Sequence, residues 1–209
     1  TKVYDSVADL VKTVDVVCVF APNFARVDMM RQIAAAVEDG AHIKGIIVEK
    51  PLARNFAEAE TLARIAKAMA VPTAYFENQI HMPAIVQART QLAQVEKAMG
   101  AAHLARSAEE HGGPHEPWFW DPTTQGGGVC CDMGCHSIAC GMYMVTPAGK
   151  PLNYLRPLRV NATMALLKWG KEPWLSQLKK RGVDYTQTPA EDYSSVTVEF
   201  EDPQTQHHS

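Results

Sequence analysis

The chain has 209 residues, with 20 Lys+Arg against 23 Asp+Glu and a formal charge of -3. A hydrophobic fraction of 46% supports a core and excludes general disorder, and the slightly acidic balance leaves no broad basic surface for nucleic acid. No apolar run reaches the ~18 residues of a membrane span, and no signal peptide opens the chain, so a cytoplasmic setting without membrane partners is expected.

Val14 to Phe20 reads VDVVCVF, a β-branched run stopped by Ala21-Pro22-Asn23, which predicts a buried strand ending at a turn. Arg26 to Asp39 carries Val27, Met30, Ile33, Ala34 and Val37 at helical spacing, with Gly40 placed to end the helix. Gly45 to Val48 is a second apolar run, ending in Glu49-Lys50-Pro51. Asn55 with Glu58 three residues on has the form of a capping box, opening a helix through Ala70. Pro72 to Phe76 is a third predicted strand. Pro83 opens a helix to Met99, closed by Gly100. Thr1 to Val3 reads as the tail of an earlier strand and Ser6 to Lys12 as a short helix.

This βαβαβα order implies a parallel sheet with covered faces. After Gly100 the texture changes. Ala102 to Glu109 reads as a strand, His111 to Gln125 as a loop, and Gly127 to Met144 as a glycine-opened helix. Val160 to Leu167 and Ser195 to Phe200 read as longer strands. The expected fold is therefore α/β: a partial Rossmann-like parallel sheet over residues 1–78, followed by an α+β domain with an open, mainly antiparallel sheet over 79–209. The chain opens without the usual first strand and glycine-rich turn and stops just after a strand, so a fragment of a longer protein is expected.

Lys50 falls at the carboxyl end of a predicted parallel strand, where open α/β sheets bind ligands. The stretch Gly126-Gly127-Gly128-Val129-Cys130-Cys131-Asp132-Met133-Gly134-Cys135-His136 puts Asp132 and His136 four apart, on one helical face. Its glycines admit a second backbone or a flat ligand. A histidine beside a carboxylate is suited to proton exchange near neutral pH. Cys135, about 100° round the helix from His136, is expected to take no part. Five cysteines, an odd number, with Cys18 alone and the other four crowded at Cys130, Cys131, Cys135 and Cys140, argue for reduced thiols. The adjacent Cys130 and Cys131 do not have zinc spacing, so no metal site is expected. A metal-assisted hydrolase using His111, His115, Asp132 and His136 stays open as an alternative, as does a non-catalytic fragment. Trp118, within Pro117-Trp118-Phe119-Trp120, could form an aromatic platform or pin a loop. His81 and Arg26 flank strand ends and could face the cleft.

A strand ending in Ala-Pro-Asn, a later strand ending in Glu-Lys-Pro, and GGG-x3-D-x3-H in that order resemble the glucose–fructose oxidoreductase/inositol dehydrogenase (Gfo/Idh/MocA) family. The resemblance implies an NAD(P)-dependent dehydrogenase, with NAD or NADP as cofactor and a sugar, cyclitol or related polyol as substrate. By that resemblance Lys50, Asp132 and His136 are the catalytic residues. Pro22, Asn23, Glu49, Lys50 and Glu77 adjoin the cofactor, and Asn78, His115, Trp118 and Asp132 adjoin the substrate. A homo-oligomer formed through the C-terminal sheet is the expected assembly. Asp132 is expected to orient His136 or to share a substrate hydroxyl. Two departures stand out: Arg26 replaces the family's usual His three residues after Asn23, and Cys140 replaces an Asp four residues after His136.

Overall fold

A computed structural model describes residues 2–187 and 189–204. The elements run α1 (Val7–Val11), β1 (Val16–Val19), α2 (Arg26–Glu38), β2 (Gly45–Glu49), α3 (Phe56–Met69), β3 (Thr73–Phe76), α4 (Pro83–Met99), α5 (Pro122–Gln125), α6 (Cys135–Val145), β4 (Arg156–Ala165), α7 (Trp174–Lys180) and β5 (Tyr193–Glu201). Short 3-10 turns cover Asn23–Ala25, Gln79–His81 and Pro117–Trp120, and a π-helical turn, Cys130–Gly134, leads into α6. The fold is mixed α/β, with a parallel sheet ordered β1-β2-β3 and an antiparallel pair β4-β5.

The parallel sheet is built as the sequence order dictates. Val16 to Val19 pair with Gly45 to Val48, and Ile46 to Glu49 pair with Thr73 to Phe76. Val17, Val19, Ile46 and Val48 bury against Met30, Ile33 and Ala36 of α2 and Leu62 of α3. Each such side chain contributes ~1.5–3 kcal/mol when fully removed from water. α3 starts where Asn55 accepts the Glu58 N–H and α1 where Ser6 accepts that of Asp9, both side-chain caps.

The expectation that both faces of this sheet are covered is not met among the described residues. Strand order follows chain order, and right-handed crossovers then carry α2 and α3 to the same face. The other face keeps Val16, Phe20 and Phe76 exposed, so β1 alternates between buried and exposed residues rather than burying both sides.

Three other expectations change. Ala102 to Glu109 forms no strand. Of the N-terminal strand tail, Thr1 lies outside the described residues, and Lys2 and Val3 are not in a strand. Helix α7 lies where no helix was expected; its Leu178 packs with Trp120 and Tyr185 in a second small core. The antiparallel pair matches expectation but begins earlier, at Arg156, with a register irregularity between Pro157 and Arg159. No helix among the described residues is long and apolar enough to cross a membrane.

Candidate functional site

The carboxyl ends of the three parallel strands converge on the glycine-led helix. β1 delivers Pro22 and Asn23, β2 delivers Glu49 and Lys50, and β3 delivers Glu77. Lys50 Nζ donates to the Asp132 carbonyl oxygen at 2.9 Å and to Asp132 Oδ1 at 3.0 Å, with both side chains mostly buried. An ammonium carries three donors, so one stays available to a ligand. His136 is buried, and its Nδ1 lies 2.6 Å from Glu77 Oε1. The same oxygen accepts the Gln79 backbone N–H at 3.0 Å. Lys50 is thus tied to Asp132 and Glu77 to His136, one helical turn on.

This pairing corrects the expected division of labour. Of the two expected roles of Asp132, orienting His136 or sharing a substrate hydroxyl, the first changes: Asp132 holds the lysine and Glu77 holds the histidine. The spacing argument assumed a regular α-helix, whereas Asp132 sits in the π-helical turn and His136 in the α-helix after it. Such turns shift the facing of side chains and occur often at functional sites. Asp132 also has a partner of the opposite sign, Lys50, just past the end of β2, which the helix alone cannot reveal.

The glycines serve backbone contact. A Cβ on Gly128 would lie 2.0 Å from the Glu191 carbonyl oxygen, and one on Gly126 would meet the Arg54 backbone at 2.4 Å. Glu191 then caps the helix start: its Oε1 accepts the N–H groups of Gly128 at 3.0 Å and Cys130 at 3.1 Å. A carboxylate suits the positive end of the helix dipole. Glu191 lies more than sixty residues downstream, and nothing local in the sequence announces it.

Two buried struts brace the strand ends. Asn23 donates through Nδ2 to the Gln125 carbonyl and to Gln125 Oε1, both at 2.7 Å. That amide is fully enclosed, so Asn23 joins the β1 turn to the residue before the glycines, where a cofactor contact was expected. Arg26 is also buried. It donates to the carbonyls of Ala21 at 3.1 Å and Lys50 at 3.1 Å, and to that of Pro51. Burial lowers its pKa from the ordinary arginine value, opposed by the nearby Glu49. The strut role of Arg26 follows from its burial, which only the fold reveals: a buried guanidinium needs carbonyl partners.

The remaining residues are more dispersed. Pro22 and Glu49 are half-buried at the strand ends, whereas Asn78, His81 and His115 are exposed. Trp118 stacks on Phe119 with centroids 3.8 Å apart and meets Phe24 edge-on, while Trp120 is pinned in the second core. The aromatic loop therefore divides between a platform and an anchor. His111 Nε2 lies 4.0 Å from Asp132 Oδ2, and its Nδ1 accepts the Gly113 N–H. Cys135, expected to stand apart, has its thiol 3.2 Å from the Asp132 carbonyl, in the midst of the site. Burial pushes its pKa up to about 12, and that of Cys131 up to about 11.

Strand ends of a parallel sheet facing a glycine-led helix with paired Lys–Asp and His–Glu groups define a ligand-binding α/β protein. Comparison with known families matches residues 1–76 to "Oxidoreductase family, NAD-binding Rossmann fold" and residues 86–207 to "GFO/IDH/MocA C-terminal domain". The chain belongs to the Gfo/Idh/MocA oxidoreductase family. It is similar to GenD2 from gentamicin A biosynthesis, solved in complex with NAD, at 27% identity and a TM-score of 0.69; the match covers 96% of this chain and 49% of that one. A NAD binding oxidoreductase from Klebsiella pneumoniae shares 25% identity over 78% of this chain and 41% of its own, with a TM-score of 0.57. The uncharacterized protein YMR315W of Saccharomyces cerevisiae is 26% identical over 141 residues, which are 66% of this chain and 39% of the yeast protein. The chain thus spans about half the length of these relatives or less.

Proposed function

We propose that this chain takes part in NAD(P)-dependent oxidation of a secondary hydroxyl on a sugar, cyclitol or related polyol. The observation that carries the reading is the pair of buried contacts on one helix: Lys50 on Asp132 and Glu77 on His136. The nicotinamide end of the cofactor fits this edge. Glu77 Oε2 is buried without a partner beside the strand ends, and the edge offers Pro22, Glu49 and the third donor of Lys50. The G-x-G-x-x-G pattern that cradles a pyrophosphate does not occur in the 209 residues. The cofactor supplies the hydride acceptor.

The protein's own groups handle the proton and the charge. With Nδ1 held by Glu77, His136 takes the substrate hydroxyl proton at Nε2, and the carboxylate stabilises the resulting imidazolium. Lys50 directs its free N–H to the same oxygen and stabilises negative charge as the proton leaves. Asp132 fixes the lysine and can accept from a neighbouring hydroxyl. Trp118, half-buried, and Asn78, exposed, suit the apolar face and the hydroxyls of a ring substrate, and the exposed His115 of the same loop as Trp118 suits a further hydroxyl.

In this reading residues 1–78 hold the nicotinamide end and residues 79–209 present the substrate. The exposed Val160 and Met164 of β4 offer a face for a second copy of the chain, and five free cysteines suit a reducing cytoplasm.

The test is a panel of sugars, inositols and other polyols with NAD and NADP, followed by absorbance of the reduced nicotinamide. At least one substrate should be oxidised, and Lys50→Ala should lower its turnover by about a hundredfold. Undiminished turnover in Lys50→Ala would contradict the reading.

A further inference from the structure

The adjacent cysteines Cys130 and Cys131 lack metal spacing, but a different set of ligand-type side chains meets across the fold. A carboxylate oxygen of Glu77, the Cys135 sulfur and a His136 ring nitrogen all lie within 4.8 Å of one another. Carboxylate, thiol and imidazole are the three donor types that zinc accepts, and three protein ligands leave a fourth position open. Glu77 and His136 are 3% and 5% exposed, so neither can swing into water. The 2.6 Å contact between them and the Gln79 N–H bond fix both before any ion arrives.

A second observation points to a ligand. Glu77 Oε2 is buried without a hydrogen-bond partner, on the very carboxylate that touches His136. An unpaired buried carboxylate oxygen is costly. A cation would satisfy it, and Lys50, the positive charge felt by Cys135, is already paired with Asp132.

We infer that Glu77, Cys135 and His136 form a binding site for a thiophilic divalent cation of the zinc type. The ion displaces the thiol proton of Cys135 to solvent and binds the imidazole in its neutral form, with no change of oxidation state. Because the ion and the substrate proton need the same imidazole, occupancy stops proton transfer. That last consequence rests on His136 being the base; the binding site itself does not.

Cobalt(II) is the probe, since a thiolate ligand gives it a charge-transfer absorption in the near ultraviolet. The background is a chain with His207→Ala and His208→Ala, which removes a competing histidine pair. One equivalent of cobalt should produce the band. Cys135→Ser should abolish it, Glu77→Gln should weaken cobalt binding by at least about tenfold, and Cys18→Ser should change nothing. Should Cys135→Ser fail to fold, alkylation read by mass spectrometry decides: cobalt should protect Cys135 and leave Cys18 reactive. No band at stoichiometric cobalt, a band that survives in folded Cys135→Ser, or an unprotected Cys135 would overturn the site. Cobalt bound through Cys135 with turnover undiminished would keep the site and contradict His136 as the base.

Discussion

The parallel sheet and the glycine-led helix are held together by different forces. Val17, Val19, Ile46 and Val48 meet α2 and α3 through apolar contact alone, each element being patterned by its own sequence. The helix start is held by polar groups from elsewhere in the chain: Lys50 on Asp132, Glu77 on His136, Glu191 on Gly128 and Cys130. The first arrangement is non-directional and tolerates small shifts. The second is directional, and its buried polar groups are costly unless paired. Stability is concentrated in the sheet, and positioned chemistry at its rim.

The largest effect on folding should follow from damage to the sheet's core. Ile33→Ala, at a fully buried position, should destabilise the protein by about 2–5 kcal/mol in urea unfolding. A smaller but more local effect is expected at the helix. Gly128→Ala places a methyl 2.0 Å from the Glu191 carbonyl and should cost about 1–3 kcal/mol. Gly127→Ala, whose Cβ would meet the Cys131 Cβ at 3.1 Å, should cost less. Equal costs would show that the close approach of Glu191 does not require Gly128.

A weaker contribution comes from pH. Cys135 has its pKa raised by burial from the ordinary 9.0 to about 12. A thiol kept neutral when folded binds its proton more tightly there than in the unfolded chain. Its contribution is intact below pH 9 and is lost as pH rises from 9 towards 12. The urea midpoint should fall over that range, and fall less in Cys135→Ser. An identical decline in the two proteins would place Cys135 in contact with water.

These two modes of assembly also decide what the sequence discloses. The strands and helices of the sheet were legible because each is encoded by local periodicity and caps, as with Asn55 and Glu58. Lys50, Asp132, Glu77 and His136 were legible as residues, through strand-end placement and family resemblance. Their partners were not. Asp132 pairs across 82 residues with Lys50, and His136 across 59 with Glu77, and no periodicity reports such distances. The π-helical turn escaped for the same reason, as did the place of Cys135 among the site residues. The unformed strand at Ala102 to Glu109 shows the converse: a segment rich in Ala, with Arg, Ser and Glu, is poor in strand formers, takes up no strand and pairs with none among the described residues.

The central claim is that His136, held by Glu77, exchanges the substrate proton. Turnover and cofactor affinity should be measured together, against pH, for His136→Ala and Glu77→Gln. His136→Ala should lower turnover by about a hundredfold or more while leaving cofactor affinity nearly unchanged. Glu77→Gln should lower turnover less than His136→Ala, because the imidazole keeps its place on the helix but loses the carboxylate that orients it. Near-normal hydride transfer by His136→Ala at neutral pH would contradict the account.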